Sequence, residues 1–189
     1  LAVLSGKKGN IEEMFEYLTY STKLNPKYAE GHFNLGIIYL KKGDFDNAVN
    51  SFLNTIRIKP EDSNALNMLG VAFFKKGNIK SSISYYSKAL ELNPQNDKIY
   101  NNLAIAYSKS GNLEAAVSIY LKALKIDSNS FSTLFNLGRI YQQKGDLEKA
   151  LETFEKILKL KNISSLDLVF NEIGITFQKK EDFHSAIKS

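Results

Sequence analysis

The sequence predicts an all-α fold, an α-α superhelical solenoid of antiparallel helix pairs, on three observations. Pro26, Pro60 and Pro94 stand 34 residues apart. Gly9, Gly43, Gly77, Gly111 and Gly145 keep the same step, and Gly36, Gly70 and Gly138 keep it in a second phase. Aromatic and small residues follow in register: Tyr39, Phe73, Tyr107, Tyr141; Phe52, Tyr86, Tyr120, Phe154; Ala48, Ser82, Ala116, Ala150. A fixed step of this length marks a repeat architecture, in which each unit buries its apolar face on its neighbours. No stretch alternates with period two, so no strand is expected.

The repeats divide the 189 residues into a partial unit at 1–28, full units at 29–62, 63–96, 97–130 and 131–166, and a partial unit at 167–189. Each full unit reads as two amphipathic helices. In the first full unit Phe33, Leu35, Ile37, Ile38, Tyr39 and Leu40 fill a first helix that closes at Lys41-Lys42-Gly43. Glycine there suits a left-handed C-cap, and lysine in the last turn suits the helix dipole. The residue after the glycine place is Asn or Asp every time: Asn10, Asp44, Asn78, Asn112, Asp146 and Asp182. These are N-caps for a second helix. In the first full unit that helix carries Phe45, Ala48, Val49, Phe52 and Ile56 on one face. Pro60 then stops it and Asp62 caps the next helix. Later units depart from the pattern. Ser128 and Asn162 replace proline, two residues are inserted near Lys161 to Leu166, and Glu181 stands where glycine is expected. A longer loop and a looser last turn are therefore expected.

The residues resemble the tetratricopeptide repeat (TPR) family, whose pattern is Trp-x2-Leu-Gly-x2-Tyr, Ala-x3-Phe, Pro. Here it runs His32-x2-Leu35-Gly36-x2-Tyr39, Ala48-x3-Phe52, Pro60, and then Leu66-x2-Leu69-Gly70-x2-Phe73, Ser82-x3-Tyr86, Pro94. Tyr100-x2-Leu103-Ala104-x2-Tyr107 with Ala116-x3-Tyr120 follows, and then Leu134-x2-Leu137-Gly138-x2-Tyr141 with Ala150-x3-Phe154. The resemblance spans the whole chain. It implies a non-catalytic protein-protein interaction scaffold that binds a peptide or protein segment in the concave groove of a superhelix. The alternative it leaves open is a substrate-recognition or targeting arm of a larger enzyme such as a glycosyltransferase.

The resemblance also implies which residues line that groove, because the first helix of each repeat faces it. Carried over place by place, the partner-binding set is Phe33, Asn34, Ile37 and Lys41; Asn67, Val71 and Lys75; Asn101, Asn102, Ile105 and Lys109; and Phe135, Asn136 and Arg139. Ser108, Gln142, Gln143, Glu172, Ile175 and Lys179 occupy further lining places. Apolar pockets in such a surface give affinity and amides satisfy the backbone of a bound chain. The asparagines read either as a ladder for a bound backbone or as a consequence of an Asn-rich composition. The doublets Lys7-Lys8, Lys41-Lys42, Lys75-Lys76 and Lys179-Lys180 read either as a basic rim for an acidic partner or as solvated helix ends. The family's carboxylate clamp for acidic C-terminal tails is not expected, since of the places it needs only Lys98 matches.

Composition narrows the chemistry. Without cysteine there is no disulfide, thiolate metal site or cysteine nucleophile. His32 and His184 stand several repeats apart, which argues against a triad or a histidine metal cluster. His32 fills a packing place usually held by tryptophan, and the glycines punctuate helices rather than cradle phosphate. No catalytic residue, metal or cofactor is therefore expected. The net charge is +5, and all but Arg57 and Arg139 of the 25 basic residues are lysine. Spread-out lysine with so little arginine does not suit base recognition, so no nucleic acid is expected as partner. No apolar run reaches membrane length. No leader is visible and the chain starts on Leu1, so it reads as a piece of a longer array, with the cytoplasm as the default compartment. Core residues Leu1, Val3, Leu4, Phe183 and Ile187 at the two ends suggest self-association there.

Overall fold

A computed structural model describes the backbone of residues 8–161 and 165–188, and the side chains of 11–161 and 165–181. The described residues form ten helices and no strand: α1 (Lys8–Leu24), α2 (Ala29–Lys42), α3 (Phe45–Ile58), α4 (Ser63–Lys75), α5 (Ile79–Leu92), α6 (Asp97–Lys109), α7 (Leu113–Ile126), α8 (Phe131–Lys144), α9 (Leu147–Leu158) and α10 (Leu166–Lys188). They fall into two compact units, Leu1–Pro94 and Gln95–Ser189.

The turns inside each helix pair follow from local chemistry. Gly43 takes φ 77°, a left-handed conformation that costs a residue with a Cβ, and its N–H closes on the Leu40 carbonyl. Asp44 N–H reaches back to Tyr39 O at 2.9 Å, and the same closure recurs at Gly77, Gly111 and Gly145. The next residue then caps the second helix. Asp44, Asn78 and Asn112 accept from the N–H groups of Asn47, Ser81 and Ala115 at 3.0–3.1 Å. Bonds from the Asn47 side chain and backbone hold the Asp44 carboxyl below its usual range. Asp62 caps α4 through Ala65 N–H at 2.9 Å.

Three caps depart from the sequence reading. Asp146 starts α9 without a side-chain cap bond and pairs with Lys149 instead, at 3.6 Å. Asn10 lies inside α1, which begins at Lys8. Helix α10 runs unbroken through Glu181 and Asp182, so the turn expected there is absent. Glu181 lacks glycine's access to the left-handed conformation that ends the other first helices, and it favours continued helix. Part of the inserted stretch, 162–164, lies outside the described residues, as do the whole of Leu1, Val3, Leu4 and Lys7 and the side chains of Phe183, His184 and Ile187.

Within each pair one joint recurs. A glycine on the first helix lies under an aromatic ring of the second. A Cβ added at Gly36 would stand 2.6 Å from Phe52, at Gly70 2.6 Å from Tyr86, and at Gly138 2.5 Å from Phe154. Phe52 and Phe154 are fully buried and Tyr86 nearly so. In the third full repeat the glycine is Ala104, which packs with Ala116 and Tyr120. In the first unit Ala48, Val49 and Phe52 join Leu69 and Ala72, while Leu18 packs with Leu35 and Ile38. In the second unit Leu134, Ala150, Phe154, Ile157 and Val169 form the matching core. His32 is half-buried and its Nε2 donates to Pro26 O at 3.0 Å, a structural tie between loop and helix.

Burial of the ring joint has a pH consequence. It pushes the phenols of Tyr86 and Tyr120 far above their ordinary value of 10.0, with Arg139 opposing weakly at Tyr120. The unfolded chain therefore releases these protons above about pH 10 while the folded chain retains them, so unfolding becomes easier as pH rises. The melting temperature is expected to hold up to about pH 9.5 and then fall. Tyr86→Phe with Tyr120→Phe, which copies Phe52 and Phe154, should flatten that fall. An unchanged slope in the double variant would contradict the assignment.

Candidate functional site

The fourteen predicted partner-binding residues do not form one surface of equal character. In the first unit, Asn34 and Lys41 of α2 and Lys75 of α4 are exposed, while Ile37 and Val71 are half-buried. Asn67 is buried. Phe33 turns its ring edge-on to Phe52, with centroids 5.6 Å apart. Its remaining edge meets a small cleft of about 170 Å³ with Glu30, Asp62 and Asn64, bridged by a Lys59–Glu30 ion pair at 3.2 Å. A wider, open concavity of about 630 Å³ lies at the α3–α4 turn between Lys59, Pro60, Asp62, Asn64 and Asn93, away from the predicted partner-binding residues of this unit.

The second unit has a concavity that several of the predicted residues line. Three helices, α6, α8 and α10, present Ile105 and Ser108, then Asn136, Arg139 and Gln143, then Glu172, Ile175 and Lys179, around a cleft of about 540 Å³. Tyr120 and Ile140 lie beneath. The three helices supply the same face because residues three, four and seven apart share one side of a helix. Ile105, Asn136 and Arg139 of the predicted set meet there. Phe135 does not: it lies between Phe131 and Phe154, with centroids 5.7 and 6.1 Å away. Lys109 is exposed outside the lining and Asn102 is half-buried outside it.

Hydrogen bonds give the cleft a definite shape. Asn136 Nδ2 donates to Asn101 Oδ1 at 3.1 Å, tying α8 to α6. That pair holds the wall together and occupies one Nδ2–H of Asn136 and one Oδ1 lone pair of Asn101. Gln142, expected in the groove, lines the cleft from a buried position and donates through Nε2 to Thr176 Oγ1 at 2.7 Å and to Glu172 O at 3.0 Å. This bridge fixes α10 against α8. Sequence reasoning missed it because the partners are 30 and 34 residues away.

The cleft carries one ion pair, Arg139 Nε to Glu172 Oε1 at 3.5 Å. Arg139 is well exposed and Glu172 largely buried. With Lys179 also exposed on the lining, two cations face one carboxylate, a net positive cleft. The lysine doublets split in role. The second lysine pairs back to a neighbouring helix: Lys76 with Asp46, and Lys180 with Glu148 at 3.1 Å. Lys144, at the matching place in the fourth full repeat, pairs with Glu114 at 3.1 Å. That bond lowers the Glu114 carboxyl from its usual value. Lys42 stands over the Phe15 ring at 4.3 Å. The exposed first lysines, Lys41, Lys75 and Lys179, carry whatever rim charge exists.

Among the described residues no cluster of histidine, aspartate and glutamate could hold a metal ion, and no helix is long and apolar enough to cross a membrane.

Paired helices, a left-handed glycine at each inner turn and a glycine-under-ring joint define an α-helical repeat protein. Tetratricopeptide-repeat sequence patterns match residues 17–50, 37–77, 70–111 and 97–163. The chain belongs to the tetratricopeptide-repeat family. No curated protein matches the sequence. Solved structures share the fold. MamA from Desulfovibrio magneticus RS-1 is 24% identical, with TM-score 0.76, over 82% of this chain and 87% of that one. YrrB, described as a TPR protein with an unusual peptide-binding site, is 22% identical, with TM-score 0.73, over 86% of this chain and 83% of that one. A thermophilic TPR protein of Thermus thermophilus is 20% identical, with TM-score 0.68, over 88% of this chain and 90% of that one.

Proposed function

We propose that the chain is a non-catalytic protein-interaction scaffold, and that the cleft between α6, α8 and α10 takes an extended peptide segment with an aliphatic side chain beside a carboxylate. The observation that carries this reading is the lining itself. Ile105 and Ile175 offer an apolar contact, while Arg139 and Lys179 outnumber Glu172 within one concavity. A ligand carboxylate would share the exposed Arg139 guanidinium with Glu172, and arginine suits such a planar contact. Gln143 supplies an amide for the ligand backbone. That YrrB is described as having a peptide-binding site agrees with this assignment. The exposed lysines of the first unit add steering.

The test is selection of a random peptide library on the full chain, followed by anisotropy titration of the winners. Enriched peptides are expected to carry Asp or Glu next to Leu, Ile or Val, and to bind more weakly as salt rises. Ile105→Glu and Arg139→Glu should each weaken binding by about tenfold or more, roughly 1.4 kcal/mol, with thermal melts confirming the fold. Selected peptides that lack acidic residues, or affinity indifferent to both variants, would overturn the proposal.

A further inference from the structure

Two helices of the second unit break the repeat pattern together, and the broken places meet in the cleft. At one place of each first helix the chain carries an aliphatic residue, Ile37, Val71, Ile105 or Ile175, but α8 carries Arg139 there. At another place the first helices carry Asn34, Met68, Asn102 and Asn136, but α10 carries Glu172. These two departures are the two members of one ion pair, Arg139 Nε to Glu172 Oε1 at 3.5 Å. The pair is built the opposite way from its neighbours. Among the described residues, Lys59, Lys76, Lys144 and Lys180 each pair with an acid on a different helix, and those acids have side chains 70–76% exposed. Glu172 is 15% exposed, while Arg139 is 59% exposed. The acid is also anchored through its backbone, since Glu172 O accepts from Gln142 Nε2 at 3.0 Å and from Thr176 Oγ1 at 2.7 Å. Gln142 stands one turn after Arg139, so one face of α8 grips residue 172 at both its carbonyl and its carboxylate. An ion pair with an exposed member contributes little to stability, and Gln142 already ties α8 to α10. Holding the helices together therefore does not account for the charged pair.

We propose that Glu172 is a positioning residue for ligand binding: it holds the Arg139 guanidinium by Nε so that the Nη edge meets the carboxylate of a bound peptide. This rests on the reading of the cleft as a site for an acidic peptide. Arginine presents its donors in a rigid planar fork, and a contact at Nε fixes that plane while leaving both Nη groups for a ligand. Those groups take no ion-pair or hydrogen-bond partner among the described residues. An exposed side chain loses rotamer freedom when it binds, and a partner that orders it beforehand removes part of that cost. Lysine would gain nothing from such a hold, because its ammonium has no plane to aim. Positioning and simple charge predict opposite signs. By charge alone, removing an acid from a cleft that takes an anion tightens binding. Removing a positioning residue weakens it.

The probe is the tightest acidic peptide enriched by the library selection on the full chain, titrated by anisotropy against the parent and four variants. Glu172→Ala should weaken binding about fivefold. Glu172→Gln, which keeps an acceptor oxygen for Nε, should recover most of that loss. Arg139→Lys should weaken binding by itself, and adding Glu172→Ala to it should cause no further loss. Circular dichroism and amide exchange in α10 check that the helix stays in place. Binding unchanged or tightened by Glu172→Ala, in a cleft that still responds to Arg139→Glu, would overturn the proposal and leave the cleft reading standing, with Glu172 a competitor for the guanidinium. Equal losses from Glu172→Ala in the parent and Arg139→Lys chains would overturn it as well, because Glu172 would then act on α10 and not through Arg139. Indifference to Arg139→Lys would overturn it by showing that the fork is not used. A selection without acidic peptides, or indifference to Arg139→Glu, would bring down the cleft reading and this proposal together.

Discussion

Gly138→Leu is expected to unfold the α8–α9 helix pair, a large single-residue effect on stability. The Cβ alone would lie 2.5 Å from Phe154 Cε1 and 2.6 Å from its Cζ. Phe154 has little room to retreat: it is fully buried, with Phe135 on one side and Ala150 and Ile157 in the same cluster. Overpacking a close-packed core costs about 1–3 kcal/mol for a small addition and more for a branched one, so leucine should cost more than about 3 kcal/mol. Alanine is the graded control. The third full repeat already carries Ala104 opposite Tyr120, so the joint tolerates one methyl once its neighbours have adjusted, and Gly138→Ala should fall near the lower end. Gly174→Ala should move the other way. Its Cβ meets nothing, and replacing glycine by alanine inside a helix gains up to about 1 kcal/mol. Urea denaturation, with hydrogen exchange on peptides from α8 and α9, would read all three. A Gly138→Leu chain as stable as the parent would refute the ring-on-glycine joint.

That joint separates what was legible in the sequence from what was not. The 34-residue step, the glycine C-caps and the Asn or Asp N-caps are local signals, and α2 to α9 begin and end near where they place them. The glycine at position 36 and the ring at position 52 also recur together, so their meeting could be inferred from pattern. Contacts between repeats left no such trace. Asn101 and Asn136 each occupy a groove place by register, but only three-dimensional stacking shows that they bond each other at 3.1 Å. Phe135 reads as groove-facing by place, yet Phe131 one turn earlier and Phe154 on the next helix draw it inward. Lys76 and Lys180, the second lysines of their doublets, read either as a basic rim or as solvated helix ends, and an acid about thirty residues back claims each of them. At Glu181 the opposite happened. The pattern demanded a turn that the residue itself does not encode, and α10 continued.

Gln142→Leu is the second large effect, and it tests whether the cleft is held from behind. Gln142 and Thr176 are both buried, and Gln142 Nε2 is the donor that reaches α10 at two points, Thr176 Oγ1 and Glu172 O. Thr176 in turn donates to Glu172 O at 2.7 Å, so three groups share one small network. Leucine keeps the volume and removes the donor. Loss of a buried hydrogen bond with its partners left behind costs about 1–3 kcal/mol, and it should appear as faster amide exchange in α10 while α2 to α5 keep theirs. Because Glu172, Ile175 and Lys179 ride on α10, and Gln142 forms part of the cleft floor, peptide affinity at the cleft should fall too. Thr176→Val completes a double-mutant cycle. If the amide and hydroxyl act as a pair, the double variant should cost less than the sum of the singles by about 0.5 kcal/mol or more, since both partners leave together. Additive losses would mean that α10 is held by packing of Val169 and Ile173 alone, and that the cleft's third wall needs no polar bridge to stay in place.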